Sequence, residues 1–414
     1  MDAVLIIGGG ISGLTLALSL HQAGIPARVF EAAPALKRLG VGINLLPHCV
    51  RELSRLGLEP ALAACAVETR EMSFYNRFGQ HIFTEPRGRF AGYDWPQFSI
   101  HRGDLQQVLV EAVLARLGAE AIALNHRCMR VEQDESGATA HFADATSGRS
   151  IGTVRGSAVL GCDGIHSVLR RQLFPQEGPP AWHGINMWRG VSRWKPFLSG
   201  ATMVQAGWLD VGKMVIYPIS RDRDEAGRQV INWVAEIRSP RHVMQDWNVE
   251  GRLEDVLPTF ADWRFAWLDV AAMIEHADVL LEYPMVDRDP LPFWSAGRVT
   301  LVGDAAHPMY PRGGNGAGQA ILDAVALARC LRESADVAAA LKSYEAERLS
   351  AANAVVLKSR TAPPDNILKV VHERSGGRPF ANIDDLISTA ELAAITDDYK
   401  RVAGFDRAAL GAKT

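Results

Sequence analysis

The sequence predicts a mixed α/β protein in which a parallel-sheet domain, discontinuous along the chain, carries an inserted β-rich domain. The chain begins with a strand, a glycine-rich turn, a helix and a second strand. Two more short apolar strands, far along the chain, also end in turns that contain glycine. Between them, from about residue 182 to 283, lies a tryptophan-rich stretch with a sheet-like pattern. Alternating strands and helices are typical of parallel sheets, and the change of pattern indicates an insertion.

The first element is a β-α-β unit. Residues 3–7 form an apolar run, residues 12–23 have apolar side chains at helical spacing, and residues 27–31 form a second strand. The turn reads Gly8-x-Gly10-x-x-Gly13. In a Rossmann-like unit Gly8 permits the tight turn, Gly10 lets the backbone approach a diphosphate, and Gly13 allows close packing of the helix.

An acidic residue completes this unit. Glu31 ends the second strand about 20 residues after the turn, where a carboxylate accepts ribose hydroxyl groups in dinucleotide-binding proteins. The free N–H groups at the start of the helix favour phosphate. The unit therefore predicts a dinucleotide site, without choosing between NAD and FAD. A glycine-rich turn that binds no ligand is the alternative.

Two acid-containing motifs follow the later strands. Asp163 stands before a glycine and after the apolar run 157–162, and Asp304 stands after a glycine and after the run 298–302. Each acid lies just past the carboxyl end of a strand, the edge at which ligands bind in open α/β sheets. Asp-Gly and Gly-Asp are also common in plain turns, so either motif alone remains open to that interpretation.

The predicted domain boundaries follow from these elements. The discontinuous nucleotide-binding domain is assigned residues 1–72, 98–180 and 285–362. The β-rich domain is assigned residues 73–97 and 181–284, because segments such as 213–217 and 230–236 have the residues of sheet strands. Residues 363–414 are polar, contain Pro and Gly pairs, and are assigned to a C-terminal tail.

Composition limits the kinds of partner and compartment. The chain has 414 residues and a net charge of -3, with 44 basic and 47 acidic residues and no charged block. A nucleic-acid partner is therefore not expected. Five cysteines without a Cys-x-x-Cys pair are typical of thiols in a reducing compartment. The apolar N-terminal run is interrupted by glycines and has no basic residue before it, so we expect a cytoplasmic protein without membrane attachment.

Taken together, the three motifs resemble those of the single-component FAD-dependent aromatic hydroxylases, the family of p-hydroxybenzoate and salicylate hydroxylases. The resemblance covers roughly residues 1–360. It implies a Rossmann-like FAD-binding domain with an inserted β-rich substrate-binding domain, in a monomer or homodimer. It also implies non-covalent FAD, with NADH or NADPH as co-substrate. One oxygen atom of O2 would pass through a flavin C4a-hydroperoxide to a small, acidic aromatic or N-heteroaromatic substrate. CO2 would be released where the attacked carbon bears a carboxylate.

The resemblance also assigns roles to cofactor-binding residues. The glycine turn and Glu31 match residues around the AMP half of FAD, and Arg102 matches an arginine at the ribityl-diphosphate region. Asp163 matches an acid implicated in both FAD and nicotinamide binding. Asp304 matches an acid that takes a ribityl hydroxyl. Two loops match those near the flavin ring, and their assigned residues are Gly42 and Ile43 in the first and Gly314, Asn315 and Gly316 in the second.

The second of these loops opens a predicted helix at residues 318–332. Its N–H groups would face the N1–C2 carbonyl edge of the flavin, which carries negative charge after reduction. A flexible loop is the alternative.

Four stretches are similar to one branch of the family. Residues 39–44, 187–191, 217–220 and 283–292 resemble the phenazine-modifying branch, which includes a 5-methylphenazine-1-carboxylate monooxygenase. Arg312 and Gly314 depart from the apolar residue and the alanine of that branch, so the resemblance does not extend to the identity of the substrate.

Candidate catalytic and substrate-binding residues lie in the inserted domain and in the second flavin loop. Tyr217 is the polar candidate, because a buried phenol needs a hydrogen-bond partner and can orient a substrate. Trp188 and Met203 are pocket candidates, although such residues in sheets more often belong to a core. Pro311 and Arg312 are candidates on the opposite side. Arg312 either binds a substrate carboxylate by two hydrogen bonds, or faces solvent or a neighbouring acid.

Other classes of function make different demands on the sequence. Since flavin supplies the chemistry, we expect no nucleophile triad and no metal, and the sequence contains none of the corresponding motifs. One alternative is an FAD oxidase or dehydrogenase, which turns over without external nicotinamide. Another is a flavin-binding redox sensor, which would need a signalling domain or a partner surface.

Overall fold

The structure, a computed structural model, describes residues 2–38, 40–239 and 249–411. Leu39 of the first predicted flavin loop, residues 240–248 of the predicted β-rich domain, residues 412–414 of the predicted tail and Met1 lie outside the described residues. The strands of the described residues are, in chain order, β1 (Val4–Ile7), β2 (Ala27–Phe30), β3 (Gly42–Leu45), β4 (Val67–Glu68), β5 (Glu71–Tyr75), β6 (His81–Pro86), β7 (Phe98–His101), β8 (Ile122–Ala123), β9 (His126–Gln133), β10 (Ala138–Asp144), β11 (Ser150–Gly156), β12 (Val159–Gly161), β13 (Ala181–Trp194), β14 (Thr202–Trp208), β15 (Gly212–Arg223), β16 (Gln229–Arg238), β17 (Val249–Glu250), β18 (Arg264–Phe265), β19 (Leu268–Asp269), β20 (Ala277–Asp287), β21 (Ser295–Ala296) and β22 (Val299–Leu301).

The described helices complete the mixed α/β fold that the sequence predicts. They are α1 (Ile11–Gln22), α2 (Pro47–Arg55), α3 (Glu59–Cys65), α4 (Arg102–Leu117), α5 (Val168–Leu173), α6 (Leu253–Phe260), α7 (Val270–Glu275), α8 (Gly316–Glu333), α9 (Val337–Thr361), α10 (Asn366–Ser375), α11 (Thr389–Val402) and α12 (Arg407–Gly411). Within the described part of the chain, no helix has both the length and the apolar character that crossing a membrane requires.

A six-stranded sheet brings the three predicted motifs together. Its order is β21-β22-β12-β1-β2-β8, and all its neighbours are parallel except β21 and β22. Helix α1 connects β1 to β2, which confirms the predicted β-α-β unit. Ile7 lies beside Gly161, and Gly161 lies beside Leu301. Because these strands end at the same level, the turns that follow them meet at one edge.

An eight-stranded sheet forms the second layer, in the order β17-β20-β13-β16-β15-β14-β5-β6. Its strands come from residues 71–86 and 181–287, close to the two stretches predicted for the β-rich domain. Successive side chains of a strand face opposite sides of a sheet. One face packs with α6 and α7 into a core that contains Trp233 and Ile216. The other face carries Tyr217 and Met203.

A small three-stranded sheet, β3-β7-β4, joins the two layers. Strands β3 and β7 are antiparallel, and Gly42 lies opposite His101. His101 caps α4, so the first flavin loop lies beside Arg102, the first residue of that helix. Gly42 and Arg102 are far apart in the sequence and therefore lie together because β3 pairs with β7.

The C-terminal segment is not a polar tail. Helices α10 and α11 contribute Ile367, Val371 and Leu392 to the same core as Tyr217, and Tyr399 packs with Phe405 in a neighbouring cluster. These apolar residues recur at helical spacing, so the helices bury one face against the rest of the protein. This corrects the sequence prediction of a tail for residues 363–411, two of which, Pro364 and Phe405, line the cavity between the two large sheets.

Candidate active site

A cavity of about 820 Å³ lies between the carboxyl edge of the six-stranded sheet and one face of the eight-stranded sheet. Most of the predicted site residues line it, namely Gly8, Gly10, Glu31, Gly42, Ile43, Arg102, Asp163, Met203, Tyr217, Asp304, Pro311, Arg312, Gly314, Asn315 and Gly316. The fold thus brings together residues from both layers and from widely separated parts of the chain.

The start of α1 has the geometry of a diphosphate cradle. A Cβ atom at Gly10 would meet no atom within 4 Å, so the backbone faces open space. A Cβ atom at Gly13 would instead collide with the carbonyl oxygen of Gly8, which explains the need for glycine behind the cradle. Among the residues that the structure describes, no side chain caps the first turn of α1. Its N–H groups are therefore available to an anion.

Glu31 closes this end of the cavity. Its carboxylate accepts hydrogen bonds from the backbone N–H groups of Gly9, at 2.6 Å, and Ala33, at 2.7 Å. Each carboxylate oxygen can accept more than one hydrogen bond, so the side chain can still receive ribose hydroxyl groups. Glu31 therefore holds the loop and faces the cavity at once.

Asp163 and Asp304 stand at the adjacent strand ends. One oxygen of Asp163 accepts from the backbone N–H of Val168 at 2.8 Å, and the other is buried without a hydrogen-bond partner among the described residues. Asp304 is exposed to the cavity but otherwise surrounded by protein. Burial raises the pKa of both carboxyl groups; nearby His307 and Arg102 oppose this for Asp304. Unsatisfied acceptors of this kind fit the hydroxyl groups of a sugar or ribityl chain.

Arg170 links the two acid motifs, a connection that was not predicted. Its guanidinium donates to the backbone oxygens of Ala305 and Ala306, at 3.1 and 2.8 Å, and pairs with Glu177. The side chain is almost completely buried. Arg170 therefore fixes the turn that contains Asp304 against the helix that follows Asp163.

The start of α8 forms a second uncapped helix end, on the other side of the cavity. Asn315 precedes the helix, but its side chain does not cap it and instead pairs with His48 at 2.9 Å. Burial lowers the pKa of His48 to about 3, so its ring is neutral and can donate this hydrogen bond. The N–H groups of α8 therefore remain directed at the cavity, as the predicted contact with a flavin ring requires.

On the eight-stranded sheet, Tyr217 lies in a polar group at the cavity wall. Its phenol contacts Arg189 and Asn44, and burial raises its pKa to about 12, although Arg189 opposes the shift. Arg189 donates to the backbone oxygen of Gly42 at 2.9 Å. Sequence reasoning missed Arg189, although a charged residue inside the otherwise apolar stretch 187–191 was the available signal.

Trp188 does not line the cavity. It belongs to the core on the opposite face of the sheet, with Trp233, while its neighbours Met187 and Arg189 line the cavity. Successive side chains along β13 face opposite sides of the sheet, so Trp188 points away from the cavity when its two neighbours point into it. This corrects the sequence prediction for Trp188.

A buried group of four charges borders the same cavity. Lys213 pairs with Glu236 at 2.8 Å and with Asp365 at 2.5 Å, and Arg312 pairs with Asp365 at 3.1 Å. Burial opposes ionisation of Asp365, but Lys213 and Arg312 outweigh it, and its pKa is lowered. Arg312 thus pairs with a neighbouring acid, the alternative that the sequence left open. Its Nη2 atom is buried without a hydrogen-bond partner among the described residues.

Besides its ion pair, Arg312 has Nη2 available for a substrate carboxylate. We therefore expect Arg312→Met to raise the Michaelis constant for an acidic substrate by about one to two powers of ten, because a charge-assisted contact is worth ~1.5–3 kcal/mol. A neutral analogue of that substrate should be affected much less. Steady-state kinetics with both compounds checks the expectation. Arg238→Met, at an exposed arginine on the same sheet, is the control. Unchanged kinetics for the acidic substrate would leave Arg312 with only a structural role.

The site is that of a flavoprotein: two uncapped helix ends and a row of acceptors fit a dinucleotide that extends towards the eight-stranded sheet. Comparison with known proteins agrees. The family described as FAD binding domain matches residues 1–359, so the chain belongs to that family.

Three known proteins show what the chain is similar to. It is 42% identical to the phenazine 1,6-dicarboxylic acid hydroxylase PhzS of Lysobacter antibioticus over 406 residues, 96% of each protein. It is 35% identical to the 3-amino-4-hydroxybenzoate 2-monooxygenase PtnB3 of Streptomyces platensis, over 99% of this chain and 98% of the relative. Klebsiella pneumoniae HpxO, solved with FAD and uric acid, has a TM-score of 0.75 at 24% identity, covering 97% of this chain and 95% of that one. The predicted class, an FAD-dependent aromatic monooxygenase, is confirmed.

Proposed function

We propose that the chain hydroxylates an acidic aromatic or N-heteroaromatic ring, with NADH or NADPH and O2 as co-substrates. The observation that carries this proposal is the charge of the cavity under the eight-stranded sheet. Four cations occur there, Arg87, Arg189, Lys213 and Arg312, with three carboxylates beside them, Glu85, Glu236 and Asp365. This excess of positive over negative charge favours an anionic substrate.

Of these four cations, Arg189 is the one without a counter-ion among the described residues. No carboxylate of the described residues forms an ion pair with it, and burial lowers its pKa. Its Nε atom is buried and has no hydrogen-bond partner in the described part of the chain. A buried charge is costly unless it is paired, so a substrate carboxylate beside Arg189 would remove this cost. Two relatives support the proposal of a substrate with a carboxylate, since their names describe a dicarboxylic acid and a hydroxybenzoate.

The residues of the chain would bind and orient the reactants. Bound FAD supplies the redox and oxygen chemistry of the reaction. Glu31, Asp163, Asp304 and Arg102 would hold its sugar, ribityl and diphosphate parts. The N–H groups at the start of α8 would stabilise negative charge at the flavin ring.

Tyr217 would position the substrate as a neutral hydrogen-bonding group. Its pKa of about 12 keeps the phenol protonated at neutral pH. Met187, Met203, Val215 and Val234 share the cavity face with Tyr217 and would exclude water from the reacting ring.

The test is to supply the holoprotein with NADH or NADPH and a series of aromatic acids. We expect particular acids to stimulate nicotinamide oxidation, and the product mass to show one added oxygen atom, with loss of CO2 where the attacked carbon bears a carboxylate. The carboxamide of each active acid is the matched control, and it should stimulate oxidation much less. Turnover without external nicotinamide, or a product without added oxygen, would instead indicate the oxidase or dehydrogenase alternative.

A further inference from the structure

A second group of polar side chains lines the cavity under the eight-stranded sheet, away from Arg189. Gln97, Gln205 and Arg87 are buried, with exposed fractions of 1%, 3% and 6%. Both polar atoms of Gln97, the amide oxygen of Gln205 and the Nε of Arg87 have no hydrogen-bond partner among the described residues. All three residues face the cavity. Buried polar groups are normally satisfied, so together they point to a ligand.

The three side chains lie close together. The sulfur atom of Met72 accepts hydrogen bonds from Nη2 of Arg87, at 3.0 Å, and from Nε2 of Gln205, at 3.7 Å. Gly88, which follows Arg87, packs tightly against the backbone N of Gln97. A ligand group that enters between them can therefore contact all three.

The distance from Arg189 sets the size of the ligand. In register, Arg189 lies beside Val234, Val234 beside Val215, and Val215 beside Gln205. Three strand spacings separate the first and last of these residues, roughly 14 Å at about 4.8 Å per spacing. A single six-membered ring does not span three strands, whereas a fused ring system with a substituent at each end extends much further.

The unpartnered donors indicate the chemical class of the substituent remote from Arg189. Arg87 forms an ion pair with Glu85, so its charge is compensated. Its Nε atom and Nε2 of Gln97 have no hydrogen-bond partner among the described residues, and Nε2 of Gln205 has only the sulfur of Met72. Guanidinium and amide N–H groups are donors that suit a carboxylate.

We infer that Arg87, Gln97 and Gln205 form a second substrate subsite, which binds a carboxylate at the end of a fused-ring substrate remote from Arg189. This rests on the proposed function, since it names the substrate class of the same cavity. The substrate is therefore a polycyclic acid with polar groups at two ends.

The experiment measures binding, which does not depend on turnover. The holoprotein is titrated with phenazine-1,6-dicarboxylate and with phenazine-1-carboxylate, and the change in flavin absorbance gives each dissociation constant. We expect the diacid to bind about 10- to 150-fold more tightly, the range for a charge-assisted contact. Gln97→Leu, Gln205→Leu and Arg87→Met should each reduce this preference, with much less effect on the monoacid.

Gln229→Leu is the matched control, because Gln229 is a buried glutamine of the same sheet that does not line the cavity. It should leave both dissociation constants unchanged. Equal affinity of the wild-type protein for the two acids would overturn the inference. A preference for the diacid that survives in the variants would also overturn it, as would an equal loss of affinity for both acids. The two glutamine variants change no charge, so they decide the matter if Arg87→Met does not fold. Failure of the proposed function would appear separately, as binding without hydroxylation.

Discussion

Asp365→Ala is expected to destabilise the protein by about 3–5 kcal/mol, the usual effect of removing one partner from a buried ion pair. Asp365 is fully buried and pairs with both Lys213 and Arg312. Its removal leaves two cations in the cavity wall with only Glu236 beside them. Thermal unfolding of the holoprotein should show a lower midpoint, and affinity for acidic substrates should change because the wall rearranges.

The exposed acid Asp384 of the same segment provides the control. Asp384→Ala should change stability by no more than about 0.5 kcal/mol, as surface substitutions usually do. Because the pKa of Asp365 lies below its ordinary value of 3.8, its ion pairs stabilise the protein at neutral pH. That contribution should be lost only as the pH falls below this value. A wild-type melting temperature in Asp365→Ala would refute the account of the C-terminal segment as a wall of the site.

Asp304→Ala and Glu31→Ala should each weaken FAD binding by roughly 10- to 150-fold, because each removes a carboxylate acceptor worth ~1.5–3 kcal/mol. Asp304 opens onto the cavity at the end of β22, and Glu31 stands at the dinucleotide end. Titration of the apoprotein with FAD, followed by flavin fluorescence, gives the dissociation constants.

Two further variants separate binding from folding. Glu31→Gln keeps one acceptor oxygen and should retain more affinity than Glu31→Ala, because Glu31 also holds the backbone of Gly9 and Ala33. Glu120→Ala, at an exposed acid outside the cavity, should bind FAD normally. Unchanged affinity in Asp304→Ala would remove Asp304 from the cofactor site.

The dinucleotide half of the site could be predicted from sequence because its residues follow strand ends. Parallel strands end at one edge, so Gly8, Asp163 and Asp304 had to meet once their strands were assigned. The same reasoning located the loop that opens α8. These positions depend on local patterns, namely a run of apolar residues and the turn that follows it.

The substrate half could not be predicted in the same way. Which side of β13 faces the cavity depends on the register of the whole sheet, so Trp188 was selected where Arg189 lies on the cavity side. Asp365 reaches Lys213 across 152 positions of the chain, and no local pattern records that contact. Arg87 and Gln97 lie in irregular segments, where only the three-dimensional packing shows that they are buried.

The origin of the product oxygen tests the central claim most directly. The holoprotein is supplied with its aromatic acid, reduced nicotinamide and O2 labelled with heavy oxygen, and the product mass is measured. An FAD-dependent monooxygenase places one labelled atom in the product, with CO2 released as well if the attacked carbon bears a carboxylate. Label that enters from heavy water instead, or a product oxidised without added oxygen, would contradict the account.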